Sequence, residues 1–399
     1  SGKTQHAEQK WKNKIMARLA KAPIGQQIAR IDAKCRIDRG TPVTFTFDGR
    51  NYGGFAGDTL ASALLANGVH LVGRSFKYHR PRGILSAGSE EPNALIRLGK
   101  GATAEPNIRA TQIEIYDGLY AESQNRTPSL KFDIGAINSV LGRFFPAGFY
   151  YKTFMWPAAM WMRYEHVIRH AAGLGKVADD HHDPDRYEKT HAHCDILVAG
   201  GGVAGLMAAL QAASSGARVI LADEQNEFGG WLLGEANISI DEQPAITWIV
   251  KMTNQLAAMP NVKLLLRTTL FGYMDHNFLT LIERVTDHLG ERPAHLPRQR
   301  MWKVRAQQVI IAQGAHERPL VFAGNDIPGV MLAGAVRTYI NRYSVCPGQR
   351  AIVMCNNDDA YRTAIDLHRA GARVIIADLR AQPTGPLFLA ARNAGIDIL

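Results

Sequence analysis

The string Gly200-Gly-Gly-Val-Ala-Gly205 constrains this chain more than any other feature, because of what flanks it. Before it, His193-Cys-Asp-Ile-Leu-Val-Ala-Gly200 reads as an apolar strand. After it, Val203–Ser215 reads as a helix, and Gly216-Ala-Arg-Val-Ile-Leu-Ala-Asp223 as a second strand that closes on an acid. Strand, glycine turn, helix, strand and terminal acid make up the βαβ fingerprint of a dinucleotide-binding lobe. Gly200 permits the tight turn, Gly202 lets a pyrophosphate approach the backbone, and Gly205 lets helix and strand pack closely. Val203 and Ala204 open the helix, where free N–H groups and the positive end of the dipole face a phosphate. Asp223 is placed to accept from the adenosine ribose hydroxyls and to repel a 2′-phosphate. Glu224 is the competing acid, and strand alternation favours Asp223.

Further pieces of the same architecture follow. Gly229-Gly230-Trp231 stands where flavoprotein reductases with two dinucleotide domains also place a Gly-Gly near the cofactor. Val262–Leu266 reads as a strand that brings Arg267-Thr268-Thr269 toward the adenosine. Val309-Ile-Ile-Ala-Gln-Gly314 resembles the Ala-Thr-Gly strand of those enzymes, with Gln313 in place of threonine. A second βαβ unit begins at Arg350 and resumes at Gly371-Ala-Arg-Val-Ile-Ile-Ala-Asp378. Its glycine positions hold Asn356, Asn357 and Asp358, so it reads as occluded and the chain as having one dinucleotide site.

The N-terminal part has a different grammar. Pro42–Gly49 reads as a strand entering a turn, with Val43, Phe45 and Phe47 on one face, and a second strand follows near Arg50–Gly53. Asp58 or Thr59 caps a helix, Leu60–Asn67, that stops at Gly68, and Ala94–Leu98 is a later strand. With the turn Arg74-Ser-Phe-Lys-Tyr-His-Arg-Pro-Arg-Gly83, this resembles the ferredoxin-like β-grasp domains of redox-enzyme subunits. An iron–sulfur cluster there needs four thiolates. Residues 84–91 offer serines and carboxylates and no cysteine, so no cluster is expected.

Charge and cysteines narrow the functional classes. Ten of the basic residues and three of the acidic ones fall in residues 1–40, which supply most of the +10 net charge. Bulk charge is therefore no argument for nucleic acid, and no nucleic-acid motif is present. Lys10–Lys34, with Trp11, Ile15, Leu19, Ile24 and Ile28, reads either as a basic amphipathic helix or as a solvated extension. Cys35, Cys194, Cys346 and Cys355 show no CxxC spacing and come after no secretory signal, so reduced thiols and a cytoplasmic location are expected. Phe144–Met162 contains Lys152 and two prolines and is not a membrane span; its aromatic run reads as packing at a domain or subunit interface. His181-His182-Asp183 reads as a solvated loop, and no metal site is expected.

The expected fold class is α/β plus α+β. A ferredoxin-like β-grasp domain without a cluster precedes a Rossmann fold of the FAD/NAD-reductase type with two dinucleotide-binding domains, truncated in its second lobe. The divisions are a basic arm at 1–40, the β-grasp domain at 41–130, an aromatic connector at 131–190, the first lobe at 191–342 and the start of the second at 343–399.

Four long strings, residues 48–84, 146–157, 193–205 and 313–332, make the chain similar to the α subunits of heterotetrameric bacterial sarcosine oxidases. Related amine dehydrogenase and cyanide-producing subunits share parts of the pattern. The resemblance implies oxidative demethylation of sarcosine to glycine, with formaldehyde or methylenetetrahydrofolate and hydrogen peroxide as products. It implies a β subunit bearing FAD, an FMN at its interface with α, smaller further subunits, and NAD held by α without evident turnover. It also implies a tetrahydrofolate site in later sequence that this chain does not include. Carried over here, the NAD contacts are Gly200, Gly202, Gly205, Asp223, Gly230, Thr268 and Gly314; no catalytic residue is assigned, and the chain is expected to be inactive alone. The alternatives are a NAD(P)H-dependent flavoprotein reductase with FAD in the first lobe, and a non-catalytic nucleotide-binding scaffold.

Overall fold

In the computed structural model, residues 27–142, 156–171, 175, 178 and 182–399 are described. Alternating bulky residues build the first sheet. Val43, Phe45 and Phe47 point inward from β1 (Asp38–Phe47), which turns at Asp48-Gly49 into antiparallel β2 (Arg50–Ala56). Helix α1 (Leu60–Ala66) starts at Thr59, whose hydroxyl accepts from Ser62 N while Ser62 Oγ accepts from Thr59 N. This reciprocal cap satisfies two donors that a helix start leaves free. Strands β3 (Leu95–Leu98), β4 (Glu105–Arg109) and β5 (Leu119–Ser123) complete the sheet in the order β2-β1-β5-β3-β4, with β1 and β5 parallel.

Asp58, the other candidate cap, does something else. Its buried carboxylate receives Arg30, Ser62 Oγ and Phe55 N. This bears on the described end of the N-terminal arm, which departs from both readings there. Residues 1–26 lie outside the described part, and residues 29–31 are neither helical nor free in solvent. Ala29 N donates to Ala66 O, Ile31 N to Ser344 O, and Arg30 bridges Val345. A buried carboxylate needs a paired cation, and Arg30 supplies it at 2.6 Å, pinning the segment to the first domain.

The second sheet contains the fingerprint. Strands β6 (Tyr187–Ala199), β7 (Val219–Ala222), β8 (Val262–Leu265), β9 (Thr268–Met274), β10 (Phe278–Arg284) and β11 (Gln299–Ile311) lie in the order β8-β7-β6-β11-β10-β9. The first four in that order are parallel, and the last two return antiparallel. Helices α2 (Val203–Ser214) and α3 (Ala245–Ala257) cover one face, burying Leu206, Trp248 and Ile249 against Val198 and Leu221. Strand β6 begins earlier than the apolar run at His193 suggests. Its polar half pairs with β11 from Tyr187 onward, and the ladder does not require apolar side chains.

Helix α4 (Ala333–Asn341) joins the parts. Tyr339 enters the core of the first domain and donates to Ser86 O, while Val336 and Ile340 enter the core of the third sheet. That sheet is parallel, with β12 (Arg350–Cys355), β13 (Arg373–Asp378) and β14 (Asp397–Ile398), and carries α5 (Asp359–Arg369) and α6 (Pro386–Asn393). Of the aromatic run 144–157, only Trp156 and Pro157 are described; Trp156 is 83% exposed. Phe132, Ile134, Ile137 and Val140 are also exposed.

Candidate dinucleotide-binding site

The glycines of the fingerprint divide into those the protein itself requires and one it does not. Gly200 has φ +103°, and a Cβ there would collide with Ala312 O. A Cβ on Gly205 would overlap Gly200 O, and one on Gly201 would strike the Phe228 ring. Gly202 differs. Its φ is −73°, and a Cβ would meet nothing nearer than Gly230 Cα at 3.9 Å. Gly202 is the N-cap of α2 and no side chain caps that helix, so the N–H groups of its first turn face this opening. Gly230, at φ +57°, stands across from Gly202, where its own Cβ would lie 3.1 Å from Gly202 Cα. Gly314, at φ +74°, comes after the end of β11 with open space beside it. A backbone cradle at a helix N-terminus, with room at the one glycine the protein does not need, suits a pyrophosphate.

Asp223 sits at the end of β7 and is 8% exposed. One carboxylate oxygen accepts from Gly201 N at 2.6 Å and the other from Gln225 N at 2.8 Å. Burial raises its pKa above the ordinary carboxylate value, while these bonds and Arg342 pull the other way. Its first task is thus to tie the glycine turn to the strand end; each oxygen keeps lone-pair capacity for a ribose hydroxyl. Glu224 is half-buried and accepts from Gln112 Nε2.

Thr268 begins β9. Its side chain is buried, its hydroxyl donates to Leu266 O, and its N–H donates to Asp223 O. It ties the start of β9 to the end of β7 and leaves no free hydroxyl there.

The loop after Asp223 is held by residues that no local motif announces. Arg342 donates to Gln225 Oε1, Asn226 Oδ1 and Glu227 Oε1. Arg36 forks onto Glu227, and Glu114 of the first domain binds Arg267 and Asn226. Arg284, whose pKa burial lowers, donates to the carbonyls of Gln112 and Glu224.

The corresponding turn of the third sheet is filled. Arg380 binds Asp358 at 2.7 Å and Asp378 at 2.8 Å, Tyr361 donates to Asp378, and Asn357 Oδ1 accepts from Asp359 N. In the first domain, residues 40–126 contain no cysteine. The loop that would enclose a cluster folds around Glu91 instead, whose buried carboxylate accepts from the N–H groups of Leu85, Ser86, Asn93 and Ala94. The residues do not fit a cluster.

Residues 40–126 match the family described as 2Fe-2S iron-sulfur cluster binding domain, and residues 195–272 match FAD dependent oxidoreductase. The first match is therefore one of fold. The chain is 56% identical over 353 residues to sarcosine oxidase subunit alpha of Rhizobium meliloti (strain 1021), covering 88% of this chain and 36% of that protein. Over most of its length this chain is thus similar to sarcosine oxidase α subunits. A second relative, sarcosine oxidase subunit alpha of Corynebacterium sp. (strain U-96), is 40% identical over 87% of this chain and 32% of its own length. The chain thus spans about a third of the length of these relatives. L-proline dehydrogenase from P. horikoshii has the same fold, with a TM-score of 0.57 at 20% identity over 88% of this chain and 56% of that one. Among the described residues, no helix is long and apolar enough to cross a membrane, and no group of three or more His, Cys, Asp or Glu is arranged to hold a metal ion.

Proposed function

We propose that this chain holds NAD in its first Rossmann lobe as part of the α subunit of a cytoplasmic, sarcosine-oxidising complex. The carrying observation is the open cradle at Gly202 in a chain 56% identical to such a subunit. Gly200, Gly202, Val203, Ala204 and Gly205 would receive the pyrophosphate, with Gly230 and Gly314 lining its approach. Asp223 would take the adenosine ribose, with Glu224 beside it and Thr268 behind. When bound, NAD supplies a redox-active nicotinamide; the chain's residues orient the phosphates and ribose and close the adenosine end.

The proposed reaction of the whole complex is sarcosine to glycine, with formaldehyde or methylenetetrahydrofolate and hydrogen peroxide as products. Amine oxidation is assigned to a flavin-bearing β subunit with FAD, and FMN to its interface with α. Smaller subunits complete the assembly, and tetrahydrofolate is assigned to α-subunit sequence this chain does not match. The exposed Phe132, Ile134, Val140 and Trp156 supply apolar surface for such a partner. The test is to denature the purified complex and identify the released nucleotides by mass after proteolytic separation of the subunits. NAD from this subunit is expected; its absence overturns the reading.

A second reading, FAD in the first lobe of a NAD(P)H-dependent reductase, is favoured by the match of residues 195–272 to FAD dependent oxidoreductase. It requires NADH to bleach a flavin bound to this chain.

A further inference from the structure

We infer that Glu114, which belongs to the ferredoxin-like domain, is a positioning residue for the adenosine end of the dinucleotide site, acting through Arg267 and Asn226 on the corner formed by Asp223 and Thr268. This rests on the reading of the first lobe as a dinucleotide site.

After Asp223 the chain leaves the sheet, and residues 224–227 have no ladder of their own. Two backbone bonds stitch this loop to the start of β9: Thr268 N to Asp223 O and Arg267 N to Gln225 O, both 2.8 Å. Arg267 lies at φ +52°, a left-handed conformation that a residue with a Cβ keeps only when its surroundings hold it. Glu114 provides that hold. Arg267 Nε and Nη2 fork onto its two oxygens at 2.5 and 2.8 Å, a bidentate pair that fixes orientation as well as distance. The same carboxylate accepts from Asn226 Nδ2 at 3.0 Å. One side chain therefore grips both sides of the corner.

The neighbouring contacts repeat the arrangement. Arg284 N donates to Arg267 O, and its guanidinium spans Gln112 O and Glu224 O. Gln112 Nε2 also reaches Glu224. Glu114 is largely buried, and burial alone would raise its pKa; the Arg267 pair and Asn226 outweigh this and lower it, so the clamp is ionised at neutral pH. None of these side chains is hydrogen-bonded to Gly202 or Gly230, so the clamp reaches the glycine turn only through Asp223, which holds Gly201 N. The domain that lacks thiolates for a cluster thus acquires a task at the nucleotide site.

The experiment uses the assembled complex stripped of its nucleotide, with Glu114→Ala, Glu114→Gln, Asp223→Ala and the double variant Glu114→Ala/Asp223→Ala. Affinities for NAD and ADP-ribose are measured beside the thermal midpoint. Glu114→Ala should weaken both ligands tenfold or more, and Glu114→Gln by less because an acceptor for Asn226 remains. The double variant should bind no more weakly than Asp223→Ala, since Glu114 works through that corner. Wild-type affinity in Glu114→Ala, or losses that multiply in the double variant, would overturn the inference while leaving the dinucleotide reading intact. Unchanged affinity in Asp223→Ala would remove both. Should Glu114→Ala not fold, the same comparison is made with Glu114→Gln, singly and with Asp223→Ala.

Discussion

The carboxylate of Glu235 stands 3.2 Å from the guanidinium of Arg337, with the two side chains only 6% and 8% exposed. Glu235 directly succeeds the turn Gly230–Gly234, and Arg337 lies in α4 and also binds Asp359 at the start of α5. One guanidinium thus ties the glycine turn of the first lobe to the second. Burial pushes the Glu235 carboxyl up to about 7, with Asp359 and Asp366 adding to the rise and Arg337 and Arg362 opposing it.

That shift sets a pH dependence. The folded chain holds a proton on Glu235 that the unfolded chain releases near 4.5. The stability this group contributes is complete below 4.5 and is lost as pH rises through about 7. Glu235→Gln should remove this component and leave Arg337 paired with Asp359. Thermal midpoints from pH 5 to 8 should show wild type losing ground to the variant as pH rises; parallel curves would count against the assignment.

Gly202 and Gly205 should respond in opposite ways to an added side chain. Gly205→Ala places a methyl group on Gly200 O and should cost roughly 1–3 kcal/mol or more of stability. Gly202→Val places its Cβ in open space and should fold with a midpoint closer to wild type than that of Gly205→Ala, yet lose nucleotide affinity by at least about tenfold, or 1.4 kcal/mol. Comparing the thermal midpoint with bound nucleotide separates the two. A Gly202→Val protein that retains its nucleotide would place the ligand elsewhere.

Gly205 also shows what the sequence makes legible. Its close approach to Gly200 O arises within one βαβ unit, so spacing alone exposes it. The same holds for α1, whose cap lies three residues from its partner Ser62. Glu114 and Arg267 are 153 residues apart, and Arg36 and Glu227 are 191 apart. No period or motif links such pairs, because a charged side chain in a loop looks the same whether it is solvated or clamped. Arg30 misleads for this reason. In sequence it is one more cation in a basic arm, and only the buried Asp58 makes it structural. Thr268 differs again: nothing in the sequence shows that its hydroxyl is spent on Leu266 O.

Glu91 should be a stability determinant of the ferredoxin-like domain. Its carboxylate receives four backbone N–H groups, and each such charge-assisted bond is strong. Glu91→Ala strands those donors and should cost about 3 kcal/mol or more, read as a lower urea midpoint. The purified protein should also contain no acid-labile sulfide. Stoichiometric sulfide would contradict the loop geometry, since residues 40–126 have no thiolate to hold it.

The chain should bind one dinucleotide, not two. At the second lobe, Asp358 puts a negative charge beside the start of α5, and Asn357 Oδ1 already takes the N–H of Asp359. Arg380 lies between Asp358 and Asp378 and holds the Asp378 carboxyl well below the usual carboxylate range, with Tyr361 donating to the same group. A pyrophosphate entering here would meet a carboxylate and a completed ion-pair network, where the first lobe offers free N–H groups. Equilibrium dialysis of the stripped protein with NAD should give one site per chain, and Gly202→Val should abolish that site with no second one left behind. Arg380→Ala should lower stability without changing the number bound. A second equivalent of nucleotide, or one that survives Gly202→Val, would show that the Asp358 turn accepts a ligand despite its charge.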